Sequence, residues 1–228
     1  MIKLRFAIVS ILLTLMLSLS MAAVAQCPVE IKHESGHQHE TAKKGTKLRT
    51  EWGVGVGAVY TMLKTDAQNV MLKPKFGYQG YVQIALLFRD FFGLKTEVCY
   101  SGGSVQAALP DAKFERRVRT STIDIPIFLS FRLLKRIHIN LGPQFTVMSR
   151  AEYTYDNQTG FFGGVYPTFN LAGSVGVKLF KNLMFEARYI HPLKKGLNRL
   201  PDVIDGAAEG IEFNTSASRI TAGLTLVF

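Results

Sequence analysis

Arg219-Ile220-Thr221-Ala222-Gly223-Leu224-Thr225-Leu226-Val227-Phe228 closes the chain, and its alternation decides how the rest is read. Side chains of an extended strand point to opposite faces with period two. Ile220, Ala222, Leu224, Leu226 and Phe228 therefore share one face, while Arg219, Thr221, Gly223, Thr225 and Val227 share the other. The first face is apolar throughout and ends on an aromatic ring; the second is mostly small or polar. The last strand of a soluble sandwich can look the same, so the choice between the two rests on the preceding residues.

Seven further runs carry this two-faced pattern. Trp52, Val54, Val56, Ala58 and Tyr60 alternate with Gly53, Gly55 and Gly57, and Phe76, Tyr78, Val82, Ile84, Leu86 and Phe88 with Gln79, Gln83 and Arg89. Leu94, Thr96, Val98 and Tyr100 oppose Lys95, Glu97, Cys99 and Ser101, and Ile123, Ile125, Ile127, Leu129 and Phe131 oppose Thr122, Asp124, Ser130 and Arg132. Ile137, Ile139, Leu141, Phe145 and Val147 face away from His138, Asn140, Gln144 and Thr146. Phe169, Leu171, Val175, Val177 and Leu179 alternate with Asn170, Ser174 and Lys178, and Leu183, Phe185, Ala187 and Tyr189 with Glu186 and Arg188. Most runs are about 10 residues or a little longer, enough to cross a bilayer with a tilt. Eight in series predict an all-β, eight-stranded antiparallel transmembrane β-barrel.

Connection lengths orient such a barrel. The links around Arg89-Asp90-Phe91, Leu133 to Lys135 and Phe180-Lys181-Asn182 are a few residues long. Those over Lys64 to Pro74, Gly102 to Arg116, Arg150 to Tyr166 and His191 to Ser216 are much longer and are expected to be loops. Barrels of the bacterial outer membrane keep short turns in the periplasm and long loops outside, and an even strand count returns both termini to the periplasm.

The amino terminus points to the same compartment. Lys3 and Arg5 precede an almost wholly apolar Phe6 to Ser20, and Ala23-Val24-Ala25 supplies the small-x-small site, with Ala23 and Ala25 as the small residues, that a signal peptidase cuts. Residues 1–25 are thus read as a signal peptide, 26–49 as a polar periplasmic leader and 50–228 as the barrel. Phe6 to Ala25 is long enough for a retained anchor, but its small-residue end favours cleavage. Gln26 before Cys27 departs from the Gly, Ala or Ser that lipidation wants. With an exported chain, the last strand resembles the sorting signal of outer-membrane barrels, carried by Ile220, Leu224, Leu226 and Phe228. The expected location is the cell outer membrane with both termini periplasmic.

Composition agrees. The chain is 47% hydrophobic, yet after the leader that content is dispersed in alternation, and no other run approaches the roughly 18 apolar residues of a membrane helix. Net charge is +10, and loss of Lys3 and Arg5 with the signal leaves +8. No helix carries clustered Lys or Arg, so nucleic acid is excluded in favour of outer-membrane lipid and lipopolysaccharide, with the assembly machinery as a partner during biogenesis and other envelope proteins beside it. Cys27 and Cys99 invite a disulfide in an oxidising periplasm, but a barrel puts Cys99 about 20 Å from the rim, so two free thiols, or an intermolecular contact for Cys27, are expected.

Lys95, Glu97, Asp124, Arg132, His138, Glu186, Arg188 and Arg219 all project into the lumen on this register. Eight strands enclose a space just wide enough for side chains to fill. These residues are therefore read as an internal salt-bridge and hydrogen-bond network rather than a charged pore.

Ser121-Thr122-Ile123-Asp124-Ile125-Pro126-Ile127-Phe128-Leu129-Ser130-Phe131-Arg132 resembles a characteristic strand of the PorT-like outer-membrane barrels of Bacteroidota. Leu141-Gly142-Pro143-Gln144 is similar to the segment that follows it there, and Phe169 to Lys178 with Asn182 to Tyr189 resembles a later hairpin, although Ser174 replaces a glycine. The resemblance spans roughly Glu51 to Phe228. It implies a small closed barrel folded by the outer-membrane assembly machinery, and the member that names the family serves type IX secretion.

Enzymatic readings fare worse. A lipid A deacylase barrel carries a His-x-Ser pair near its rim; His191-Pro192-Leu193 supplies the histidine without the hydroxyl, so the nucleophile is missing. Gly53-Val54-Gly55-Val56-Gly57 lies within a strand and opens no helix, which disfavours a phosphate loop. His33, His37 and His39 could bind metal weakly, but a polar tract without supporting residues is more often solvated. The expectation is a non-enzymatic barrel without cofactor or metal, acting as a structural or interaction component of the envelope. The alternatives are an accessory subunit of a secretion machine such as type IX and, less favoured, a lipid-acting enzyme.

Overall fold

The computed structural model describes residues 48–66, 71–88, 91–109, 114–133, 136–155, 158–161, 166–200 and 211–228. Ala23, Ala25, Cys27 and the His33, His37, His39 tract lie outside them. Eleven strands follow in order: β1 (Leu48–Thr65), β2 (Met71–Pro74), β3 (Phe76–Phe88), β4 (Phe92–Leu109), β5 (Phe114–Leu133), β6 (Ile137–Tyr155), β7 (Gln158–Phe161), β8 (Phe169–Lys178), β9 (Leu183–Pro192), β10 (Gly196–Leu200) and β11 (Ile211–Val227).

Eight of these form the expected closed antiparallel ring, in the order β1-β3-β4-β5-β6-β8-β9-β11, and β11 pairs back onto β1 from Gly53↔Val227 to Thr65↔Thr215. Closure satisfies every edge strand, which a sheet in hydrocarbon requires. The short strands β2, β7 and β10 add to β4, β6 and β11.

The wall is inside-out relative to a soluble protein. Val56 is 68% exposed on the outer surface, whereas Asp124 is 1% exposed within. A lipid surround makes that arrangement favourable, since it shields the apolar outer face from water while the polar inner face finds its partners within the lumen. Aromatic pairs ring the barrel near both ends. Trp52 meets Phe228 at 4.9 Å and Phe92 meets Phe131 at 5.3 Å by the termini; Tyr60 meets Phe76 at 5.0 Å and Tyr78 meets Tyr100 at 6.4 Å towards the other end. Such girdles mark the two interfaces.

The expected long loops are largely strand. Within the predicted Gly102 to Arg116 loop, β4 runs on to Leu109 and β5 begins at Phe114; β6 continues to Tyr155, and the other long links contain β2, β7 and β10. Several strands thus reach 17 to 20 residues rather than about 10. Above the bilayer a hairpin has water on its outer side and needs no apolar stripe, so period two fades while backbone pairing continues.

One irregularity matters later. Ile123 pairs with Met148 but Asp124 with Thr146, so Val147 is an extra residue in β6. This bulge reverses the parity beyond it: Ala151 faces inward and is buried, while Arg150 faces out.

Candidate functional site

The lumen is crossed by three ionic struts, each joining strands on opposite or well-separated sides of the ring. Near the termini, Glu51 on β1 receives two hydrogen bonds from the Arg132 guanidinium on β5, one of them from Nη1 at 3.0 Å. Arg49 joins from the rim at 3.1 Å. Glu51 falls on the Gly53 and Gly55 face by simple period two, so its inward direction was legible although the sequence reading passed over it. His138 lies opposite Arg132 on β6, buried, and its Nε2 has no partner among the described residues.

The middle strut joins β4 to β9, diametrically opposite in the ring. Lys95 Nζ donates to Glu186 at 2.6 Å and lies 2.9 Å from Glu97. Arg188 Nη2 donates to Glu97 at 2.6 and 2.8 Å and to Glu186 at 2.7 Å. Each cation thus meets both carboxylates, and the four charges cancel. Neutrality and charge-assisted hydrogen bonds are what make such burial tolerable. Aromatic faces complete the layer, with the Arg188 guanidinium 5.1 Å from the Phe128 ring centre and 5.8 Å from that of Tyr81. Gly55 leaves room for Tyr81: a Cβ there would stand 2.3 Å from its ring. The Tyr81 hydroxyl lies 2.6 Å from that of Thr225 on β11.

The third strut again spans the full diameter, from Asp124 on β5 to Arg219 on β11. Arg219 donates to Asp124 at 2.7 and 3.2 Å, and the hydroxyls of Thr122 and Thr146 donate to the same carboxylate at 3.0 and 2.6 Å. Tyr166, from the segment before β8, folds into the barrel mouth over Arg219, with its ring centre 5.0 Å from the guanidinium. Its hydroxyl stands 3.3 Å from that of Thr61 and 3.4 Å from that of Thr120. Phe128 and Leu87 are both fully buried, and the Phe128 ring packs against the Lys95 ammonium and the Arg188 guanidinium. Sequence reading missed Tyr81, Phe128 and Tyr166 as lumen residues, because apolar or aromatic side chains on a polar face break the pattern that identifies it.

The other candidates take ordinary places. Cys99 is a buried free thiol, 3.7 Å from Gln79 Oε1. His191 is exposed on the outer wall beside Tyr189, ring centres 6.3 Å apart, and Leu193 is exposed after it. Leu224, Leu226, Ile220 and Phe228 lie on the outer face of β11, and Phe228 N donates to Trp52 O at 2.8 Å. Beyond the bilayer, Asn214 donates its side-chain amide and backbone N–H to Asp66 at 3.0 and 2.8 Å. Those two donors, the side chain foremost, hold the Asp66 carboxyl below its usual range.

A braced lumen inside a lipid-facing wall defines a class of protein, and comparison with known families agrees. Residues 36–198 match the family described as "Outer membrane protein beta-barrel domain". The chain belongs to that family. As an outer membrane β-barrel it is placed in the outer membrane. No curated protein matches it.

Among solved structures, the attachment invasion locus protein Ail of Yersinia pestis, in complex with the heparin analogue sucrose octasulfate, is 11% identical with a TM-score of 0.50, over 78% of this chain and 99% of that one. The outer membrane protein AlkL in DMPC lipid bilayers is also 11% identical with a TM-score of 0.50, over 86% of this chain and 97% of that one. At such identities the likeness is one of fold alone.

Proposed function

We propose that this barrel is a non-enzymatic component of the outer membrane, a rigid anchor that displays its long hairpins outward and works by contact with other envelope components. The observation that supports this most is the bracing of the lumen. Lys95, Glu97, Asp124, Glu186, Arg188 and Arg219 each spend their charge on a partner across the barrel, in layers stacked along the lumen. In this reading both termini are periplasmic, residues 1–25 are removed on export, and residues 26–49 remain as a periplasmic leader. The finer kinship proposed is to the PorT-like barrels, on the strand Ser121–Arg132 and the hairpin ending at Tyr189.

Planar-bilayer recording and a mild-detergent pull-down test this together. Absence of large stable conductance is the expected electrical result, and such conductance would refute a braced lumen. In the pull-down, a stoichiometric set of secretion proteins would replace the general anchor with an accessory subunit of a machine such as type IX. A mass shift of lipid A on deletion of the protein would instead revive an enzyme.

A further inference from the structure

Cross-strand rows on the outer wall show where the lipid ends. Gly80, Tyr100, Ile123 and Met148 form one row across β3, β4, β5 and β6, apolar throughout. The next row towards the hairpin end is Tyr78, Gly102, Ser121 and Arg150; the one after contains Ser104, Arg119 and Glu152; and Gln106 faces Arg117 beyond that. Rows on one face are two residues apart, about 5 Å in height after tilt. Over the three rows beyond the apolar one, about 15 Å, the wall turns from apolar to polar and basic. The bulge at Val147 is required for this, since without it Arg150 would point into the lumen.

These rows enclose a cleft of about 530 Å³ lined by Arg117, Arg119, Arg150, Tyr78 and Tyr100. Arg117 and Arg119 are exposed and have no ion-pair partner among the described residues. Arg150 lies 3.4 Å from Glu152, the one described carboxylate in the lining, and keeps half of its side chain open to solvent. Three guanidinium groups against one carboxylate leave the cleft cationic. The floor is aromatic: Tyr78 lies across Gly102, where a Cβ would stand 2.6 Å from its ring.

We propose that this cleft seats the phosphate of an anionic lipid in the leaflet at the hairpin end. A guanidinium fork matches a phosphate in two parallel hydrogen bonds, and the site opens sideways where the apolar wall stops. A lipid whose acyl chains run along Val82, Ile123 and Met148 brings its headgroup to this height, whereas a soluble anion gains nothing from that wall. The assignment rests on the outward orientation proposed above.

The full chain is refolded into phosphatidylcholine nanodiscs doped with bisphosphorylated lipid A, and retained lipid is counted by native mass spectrometry. Wild-type protein should retain lipid A, and the triple variant Arg117→Gln, Arg119→Gln, Arg150→Gln should lose about tenfold or more, as removal of charge-assisted contacts implies. Lys194→Gln, an exposed cation elsewhere at the hairpin end, should behave as wild type. Heat-modifiable migration confirms folding, and Arg119→Gln alone, at an exposed position, serves if the triple variant does not fold. Equal retention by wild type and variant, equal retention of phosphate-free lipid A, or displacement by an equal concentration of inorganic pyrophosphate would each overturn the site. Orientation is read separately, by labelling Arg117→Cys on intact cells with an impermeant maleimide. Labelling without lipid retention removes the site and keeps the orientation; no labelling above wild type removes both.

Discussion

Removing Glu186 tests the bracing of the barrel most directly. Its carboxylate holds Lys95 at 2.6 Å and Arg188 at 2.7 Å, both cations almost fully buried. Glu186→Leu leaves those two cations to share Glu97, so the middle layer carries one uncompensated positive charge in a space without bulk water. Breaking one partner of a buried pair costs about 3–5 kcal/mol, mostly the desolvation of the charge left behind. Lys95→Met leaves the opposite excess and should cost a similar amount. The double variant, however, retains Arg188 with its two hydrogen bonds to Glu97, a neutral pair with apolar neighbours, and should cost only about 0–2 kcal/mol. The single costs would therefore overstate the double by several kcal/mol, far outside the agreement of about 0.5 kcal/mol seen for independent sites. Reversible urea unfolding in lipid vesicles, extrapolated linearly, measures all three variants. Additive costs, or a Glu186→Leu barrel within about 1 kcal/mol of wild type, would refute the layer as an ionic brace.

Four further outcomes are expected. Deleting Phe228 removes its contact with the Trp52 ring at 4.9 Å and the last two backbone hydrogen bonds that close the chain end on β1, so the protein should accumulate as a protease-sensitive, non-heat-modifiable form; wild-type assembly would reject a sorting and closing role. Val175→Arg, half-exposed on the wall midway along β8, should cost about 2–4 kcal/mol, while Leu183→Arg near the terminal rim should cost about 0–1 kcal/mol, and a reversed order in vesicle unfolding would show the membrane boundary to be misplaced. Tyr166→Ala opens the mouth but leaves the Asp124–Arg219 strut beneath it, so conductance should stay negligible in planar bilayers; open channels in this variant would make Tyr166 the seal. The lowered Asp66 carboxyl stabilises the β1–β11 hairpin end above its ordinary titration range and releases it as pH falls through the depressed value, so protease cleavage there should rise only under strong acid, and Asp66→Asn should abolish that pH dependence.

Much of the architecture is written in local alternation. Side-chain direction in a strand depends only on parity, so the outward Val54 and Val56, the inward Glu97 and Arg188 and the aromatic end at Phe228 can be assigned one residue at a time. Repeating that assignment eight times gives strand count and closure, since an open edge is untenable in lipid. The apolar–polar marking of the two faces fades where water lies on the outer side, which is why the hairpin extensions over Gly102 to Arg116 read as loop in sequence. What tertiary structure alone decided is pairing across the lumen. That Glu186 meets Lys95 rather than Arg132, that Asp124 meets Arg219, and that Glu51 reaches Arg132 depend on ring order, tilt and register, none of which a single strand contains. The direction of Arg150 was equally hidden, because one extra residue at Val147 inverts the side chains in the rest of β6 and leaves no local mark.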